Sequence, residues 1–261
     1  MTEGGDKQAG RAHYPSLAGK RVIISGGASG IGEGMVEGFV AQGSAVAFVD
    51  LLEDEGAEQA QRLAATAAIA PIFEACDITD STAYPALLGR LIERLGGCDV
   101  LINNAARDDR HSVADVTPEY WDDMMAVNLK HLFFAAKAVI PSMQQTGRGS
   151  IVNLGSISWH LGLENLSVYQ TAKAAIEGLT RSLAREFGKD GIRVNAILPG
   201  NVQTPRQMQW YTPEGEAEIV AAQCLEGRIQ PEDVAALALF LASDDARYCT
   251  AHNYWVDAGW R

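Results

Sequence analysis

Seven short β-rich apolar runs recur along the chain, at Arg21–Ser25, Ala45–Val49, Pro71–Ala75, Asp99–Ile102, Ser150–Leu154, Ile192–Leu198 and Asn253–Val256. Most are separated by stretches of helical periodicity. Strands kept apart by helices cannot close as hairpins, so the pattern reads as βαβ units around a parallel sheet. The first interval puts Ile31, Met35, Val36, Phe39 and Val40 on one stripe, and Gly34 and Gly38 within it mark close packing. A later interval puts Val168, Ala172, Ile176, Leu179 and Leu183 on one face, with Gly188 and Gly191 where the helix should stop. No repeat, charge block or Pro/Ser-rich linker divides the chain. The expectation is one α/β domain over residues 16–261, a doubly wound (Rossmann) parallel sheet with helices on both faces, preceded by a partly ordered tail over residues 1–15. Such a sheet binds ligands outside the carboxyl ends of its strands.

Charge and composition narrow the partners. Lys plus Arg is 21 and Asp plus Glu is 33 in 261 residues, a net charge of −12, which disfavours nucleic acid and anionic membranes. The longest wholly apolar run, Val234 to Ala242, is about half of what spans a bilayer. Residues 1–20 contain no apolar stretch of the secretory kind, which points to the cytoplasm. Cys76, Cys98, Cys224 and Cys249 stand far apart with no C-x-x-C pair, so they read as structural thiols in a reducing compartment, and no metal site is expected.

Directly after the first run comes Ser25-Gly26-Gly27-Ala28-Ser29-Gly30-Ile31-Gly32, opening a helix. Its glycines suit a tight turn and close approach to a pyrophosphate, whose charge the helix N-terminus favours. The second run ends in Asp50, where a carboxylate can hydrogen-bond the adenosine ribose and repel a 2′-phosphate. Leu51-Leu52 follows, with no compensating Arg or Lys, so NAD is expected over NADP. Asp77, in Cys76-Asp77-Ile78, stands similarly after the third run and reads either as an adenine contact or as a turn former.

Tyr169 and Lys173 lie four residues apart, one helical turn, so an ammonium adjoins a phenol. Bringing the phenol from its usual pKa to near neutrality takes about 4 kcal/mol of differential stabilisation, and would make Tyr169 a general base. Ser156, at the end of the preceding strand, can hold the reacting oxygen. No G-x-S-x-G turn accompanies it, which weighs against a hydrolase nucleophile.

With these pieces the chain resembles the short-chain dehydrogenase/reductase family over essentially its whole length. The resemblance rests on the Gly26–Gly32 turn, Asp50, Asn103-Asn104-Ala105, Asn128, Ser156, Tyr169 with Lys173, and Pro199-Gly200 with Thr204. Ser25 and Ala106 depart from its usual Thr and Gly. The resemblance implies a catalytic set of Asn128, Ser156, Tyr169 and Lys173, with Asn128 holding a water of a proton relay. Lys173 is implied to bind the nicotinamide ribose and to lower the Tyr169 pKa. The implied cofactor contacts are Gly26, Ser29, Gly30, Ile31, Gly32, Asp50, Asp77, Ile78, Asn104, Ala105, Tyr169, Lys173, Pro199, Gly200, Val202 and Thr204. A homotetramer is also implied.

Four further segments, 107–111, 156–164, 210–217 and 254–261, resemble the NAD-dependent members of the family that oxidise D-xylose at C1. That makes an aldopyranose the expected substrate, touched by Ser156, Ser158, Trp159, His160, Asn201 and Trp210. Ser158 is expected to share strand-end parity with Ser156. Another aldose, such as L-arabinose, galactose or glucose, or a secondary alcohol, stays open as an alternative. His160 reads equally as structural, and Trp159 and Trp210 equally as buried packing. Asp108 and Asp109, being adjacent, are expected to diverge, as solvated charge or as a sugar contact. His13, His131 and His252 point to no function. A non-catalytic NAD-binding scaffold would need a broken catalytic set, and all four residues are present.

Overall fold

Alternation within each run decides which side of the sheet a side chain serves. Val22, Ile24, Val46, Phe48, Val100 and Ile102 enter one core, while Ile23, Ala47, Val49 and Leu101 enter the other. Both faces are therefore apolar, which a parallel sheet between two helical layers requires. The computed structural model describes residues 11–209 and 211–261.

Seven strands, β1 (Arg21–Ser25), β2 (Ala45–Asp50), β3 (Ile72–Ala75), β4 (Val100–Asn103), β5 (Gly149–Leu154), β6 (Ile192–Pro199) and β7 (Asn253–Val256), form one parallel sheet. Their order is β3-β2-β1-β4-β5-β6-β7, so the chain reverses direction across the sheet between β1 and β4. The strands begin and end within one residue of the sequence runs. Pro71 falls outside β3, having no N–H for the ladder. Asp99 falls just before β4, and its carboxylate accepts from the Arg21 backbone N–H (3.0 Å) and from Arg21 Nε (2.7 Å).

The helices, in chain order, are α1 (Gly30–Ala41), α2 (Glu53–Ala64), α3 (Ala83–Leu95), α4 (Pro118–Met125), α5 (His131–Thr146), α6 (Ser158–Leu161), α7 (Ser167–Phe187), α8 (Pro205–Met208), α9 (Pro213–Ala222) and α10 (Pro231–Ala242). A π turn, Ala126–Lys130, joins α4 to α5. α1 and α10 pack on one face, and α3, α5 and α7 on the other. A Cβ on Gly34 would sit 3.0 Å from Pro231, and one on Gly38 would sit 3.4 Å from Leu239, so these two residues let α10 lie close against α1. α7 ends at Gly188, and the chain turns at Gly191 with φ +75°. Residues 11–14, part of the stretch the sequence assigns to a partly ordered tail, dock on the domain. Arg11 donates to the Glu232 carbonyl (2.6 Å), and Tyr14 N–H donates to Gln42 Oε1 (2.8 Å). Among the described residues no helix is long and apolar enough to cross a membrane.

A buried polar line fixes α7 on the sheet. Asn103 Nδ2 donates to Asn153 Oδ1 (2.9 Å), and Asn153 Nδ2 donates to Thr180 Oγ1 (3.0 Å). Asn103, Asn153 and Thr180 are each 1% exposed, so water cannot replace a lost partner. Asn153→Leu should leave Asn103 and Thr180 unpaired and lower stability by about 2–5 kcal/mol. Denaturant unfolding checks this; a loss below about 1 kcal/mol would deny the line its role.

Candidate active site

Crowding sets the shape of the Gly-rich turn. Gly26 has φ +69°, and a Cβ there would lie 2.7 Å from Ala105 Cα; a Cβ on Gly32 would lie 1.7 Å from the Gly26 carbonyl oxygen. Asn104 fastens the contact, with Nδ2 donating to the carbonyls of Ser25 (3.2 Å) and Gly26 (2.7 Å). The Asn104 and Ala105 N–H groups donate to Ser25 Oγ (3.1 and 3.3 Å), so the departure from Thr at position 25 keeps the hydroxyl that matters. The turns after β1 and β4 are thus joined where the strand order reverses.

Ser29, which precedes α1, is extended and its side chain caps nothing, so the N–H groups of the first helical turn remain available to an anion. Gly30 faces Thr204, whose side-chain oxygen accepts from Gln207 N–H (3.3 Å) at the start of α8. Ile31 is partly buried against the α1 core. Asp50 Oδ2 accepts the Ala28 N–H (2.9 Å), bracing the turn from the end of β2. Asp77 Oδ1 accepts from Thr79 N–H (2.8 Å) and Oγ1 (2.7 Å), closing a local turn, and Ile78 is buried beside Tyr84. Gly200 N–H donates to the Val256 carbonyl (2.8 Å) directly after Pro199, and Val202 bridges to Ile229. An uncapped helix N-terminus, a glycine turn beneath it and an acidic end to β2 fit a dinucleotide.

Tyr169 and Lys173 share one face of α7, with Lys173 Nζ 5.5 Å from the centre of the Tyr169 ring. Lys173 is 2% exposed and donates to the Leu154 carbonyl (2.7 Å) at the end of β5. Burial lowers its pKa to about 8, partly offset by the negative charge of Asp108. The Tyr169 phenol runs opposite to expectation: burial pushes its pKa up and Asp108 adds to the rise, while a hydrogen bond to Ser156 and the charge of Arg206 pull it partly back. Lys173 directs its ammonium at the Leu154 carbonyl instead of at the phenol oxygen's hydrogen-bond partner Ser156. Asn128 is fully buried in the π turn. Its Oδ1 accepts from Arg107 N–H (2.9 Å), and its Nδ2 donates to the carbonyls of Arg107 (3.0 Å) and Met124 (2.9 Å). Both hydrogens of that amide are used, so it has none left to donate to a water.

The residues expected to meet substrate fall into three settings. Ser158 does not continue the strand; it starts α6, donates its N–H to Ser156 Oγ (3.1 Å), and has a buried hydroxyl without a partner among the described residues. Asn201 is engaged by Tyr211 and by Arg228 (2.8 Å). Trp159 Nε1 donates to Glu177 (2.7 Å), and His160 Nε2 meets the same oxygen (2.9 Å) with its ring 3.6 Å from that of Trp159. Trp210 lies outside the described residues.

Sequence reasoning missed two features. Asp108 and Asp109 converge instead of diverging, both on Arg206 Nη2 (3.2 and 3.0 Å). His131 is buried, holding the Ala105 carbonyl through Nε2 (3.1 Å), with Nδ1 lacking a partner among the described residues. Its one legible signal is its place three residues after Asn128, on the same helical face. All four cysteines are free thiols; Cys98 is buried and Cys224 is exposed. Among the described residues no cluster of His, Cys, Asp or Glu could hold a metal.

A family model described as enoyl-(acyl carrier protein) reductase matches residues 26–261. A D-xylose 1-dehydrogenase of Caulobacter vibrioides is 56% identical over 96% of this chain and 99% of its own. A Rhizobium meliloti protein named "Probable galactose dehydrogenase" is 44% identical over 95% of this chain and 97% of its own. The structure of a 7α-hydroxysteroid dehydrogenase complexed with NADH superposes with a TM-score of 0.90 at 29% identity, covering 94% of this chain and 96% of that one. The chain belongs to the short-chain dehydrogenase/reductase family. It is a dehydrogenase that works with a nicotinamide cofactor.

His131 gives the site an acid limit. Burial, reinforced by Lys173, lowers its pKa from 6.5 to about 3 in the folded chain. Between those values the unfolded chain binds a proton that the folded chain refuses, so stability falls as pH drops through that window. His131→Gln, which keeps a donor for Ala105, should remove about 2–3 kcal/mol of the wild-type loss between about pH 7 and 4.5. Unfolding curves at the two pH values check this; identical losses in both proteins would refute it.

Proposed function

We propose that this enzyme oxidises C1 of an aldopyranose, D-xylose foremost, to the aldonolactone with NAD. The observation that carries the reading is the 56% identity to a D-xylose 1-dehydrogenase across 96% of the chain, a span that takes in the loops bordering the site as well as the strands beneath it. Galactose is the second candidate, on the 44% relative. As in the family it resembles, the working form is a homotetramer in the cytoplasm.

Tyr169 takes the proton of the C1 hydroxyl, and Ser156 holds the oxygen from which it leaves. Lys173 steadies the nicotinamide ribose, and Asn128 shapes the turn that supports a relay water. The bound nicotinamide supplies the hydride acceptor. Gly26, Ser29, Gly30, Ile31 and Gly32 cradle the pyrophosphate, while Asp77 and Ile78 border the adenine. Asn104, Ala105, Pro199, Gly200, Val202 and Thr204 line the rest of the cofactor's path. Asp50 pairs with the adenosine ribose, and its charge opposes a 2′-phosphate with no Lys or Arg beside it in sequence to compensate. Ser158 and Asn201 bind sugar hydroxyls. Trp159 and His160, with their polar ends on Glu177, offer ring faces only, and Trp210 adds a third aromatic wall.

Tyr169→Phe should keep NAD binding in a fluorescence titration and lose roughly 10²–10⁴ in kcat. Turnover near that of the wild type would remove Tyr169 from the chemistry. NADH production across pentoses, hexoses and simple alcohols should give D-xylose the highest kcat/KM, with NAD preferred. In Asp50→Ala the gap should narrow chiefly because NADP is tolerated. Faster oxidation of secondary alcohols than of any sugar would overturn the aldose reading.

A further inference from the structure

Between the end of β4 and the start of α4 the segment 107–111 crosses the site, and it is fixed at both ends. At Arg107 both backbone groups are held by Asn128, as described above. At His111 the backbone N–H donates to the Asn165 carbonyl (2.9 Å), and the ring Nε2 accepts the N–H of Val168 (3.2 Å). One end therefore rests on the π turn, and the other caps α7 one residue before Tyr169. Asp108 lies between these two anchors, on the stretch that joins the turn of Asn128 to the first turn of the helix carrying Tyr169 and Lys173.

The Asp108 carboxylate is held from the opposite side by α8. Oδ2 accepts from Gln207 Nε2 (2.8 Å), and Oδ1 pairs with Arg206 Nη2 (3.2 Å). A carboxylate offers about four lone-pair sites, so these two contacts orient it without filling it. Asp109 is spent differently, on two guanidinium groups: Arg107 Nε at 2.6 Å and Arg206 at 3.0 Å. Arg206 is neutralised twice over, and an anionic substrate would find no free cation there. A polyhydroxylated neutral molecule would find an oriented acceptor.

We propose that Asp108 is a specificity-determining residue, whose carboxylate, steadied across the cleft by Arg206 and Gln207, accepts hydrogen bonds from sugar hydroxyls away from the reacting carbon. This rests on the aldose reading and extends it by naming a group that tells a sugar from a simple alcohol. A charge-assisted bond of this kind is lost whenever the matching hydroxyl is absent, leaving the acceptor unpaired.

The test crosses substrate with protein. D-Xylose and its monodeoxy analogues are assayed with the wild type, Asp108→Ala and Asp109→Ala. For the wild type at least one deoxy analogue should lose roughly 10- to 100-fold in kcat/KM. In Asp108→Ala, D-xylose itself should fall by a similar factor, and the penalty for that analogue should shrink to within about threefold, with KM for NAD nearly unchanged. Asp109→Ala breaks an ion pair to the same Arg206, yet should keep the wild-type deoxy penalty. Should Asp108→Ala fail to fold, Asp108→Leu, which also removes the acceptor while keeping similar bulk, takes its place in the same comparison. Undiminished deoxy penalties in the Asp108 variant, with aldoses still oxidised by the wild type, overturn the proposal alone. A wild type that oxidises no aldose overturns the aldose reading and the proposal with it.

Discussion

Asn153 occupies the middle of the sheet and cannot be satisfied by the sheet alone. A side chain leaving β5 toward the helical layer must find partners there, and it finds one donor in Asn103 on β4 and one acceptor in Thr180 on α7. Because all three are buried, a slip of α7 along the sheet would strand two polar groups in an apolar core. The longest helix is thereby fixed against the two central strands, and Tyr169 and Lys173 ride on it. Lys173 adds a second attachment through the Leu154 carbonyl. Side-chain hydrogen bonds, more than the apolar stripe, set where Tyr169 and Lys173 stand relative to the ends of β4 and β5.

Burial governs the chemistry of that pair in the protein alone. It raises the phenol and lowers the ammonium, so both tend toward their neutral forms. Asp108 opposes the effect at Lys173 and adds to it at Tyr169, while Arg206 acts on Tyr169 with the opposite sign. Ionisation at the site therefore depends on which charges are brought alongside, and the loop that carries Asp108 and the short helix α8 that carries Arg206 share in setting it.

Much of the fold was legible because its signals are local. Period-two alternation marked the strands, period-3.6 stripes marked α1 and α7, and the glycine spacing with Asp50 marked the end of β1 and its neighbour. Tyr169 and Lys173 were legible as a pair because four residues make one turn. The remainder joins residues far apart in the chain. Asp108 meets Arg206 across 98 positions, and nothing in either neighbourhood announces the other. Trp159 and His160 carry no local mark of Glu177, which sits on the helix after them. Ser158 was misplaced because a strand's parity was extended past its end, where the chain had already turned into α6.

Glu177 has a consequence for motion. Its carboxylate accepts from Trp159 and meets His160 on α6, and it also accepts from Asn253 at the start of β7. The His160 ring packs edge-on against Trp255, whose face carries the Arg261 guanidinium. Two stretches some ninety residues apart thus share one anchor, so neither can open without loosening the other. The turn that follows Ser156 and the edge strand should behave as a single cooperative unit, with amide hydrogens in both exchanging together and the end of the chain reporting on the state of α6.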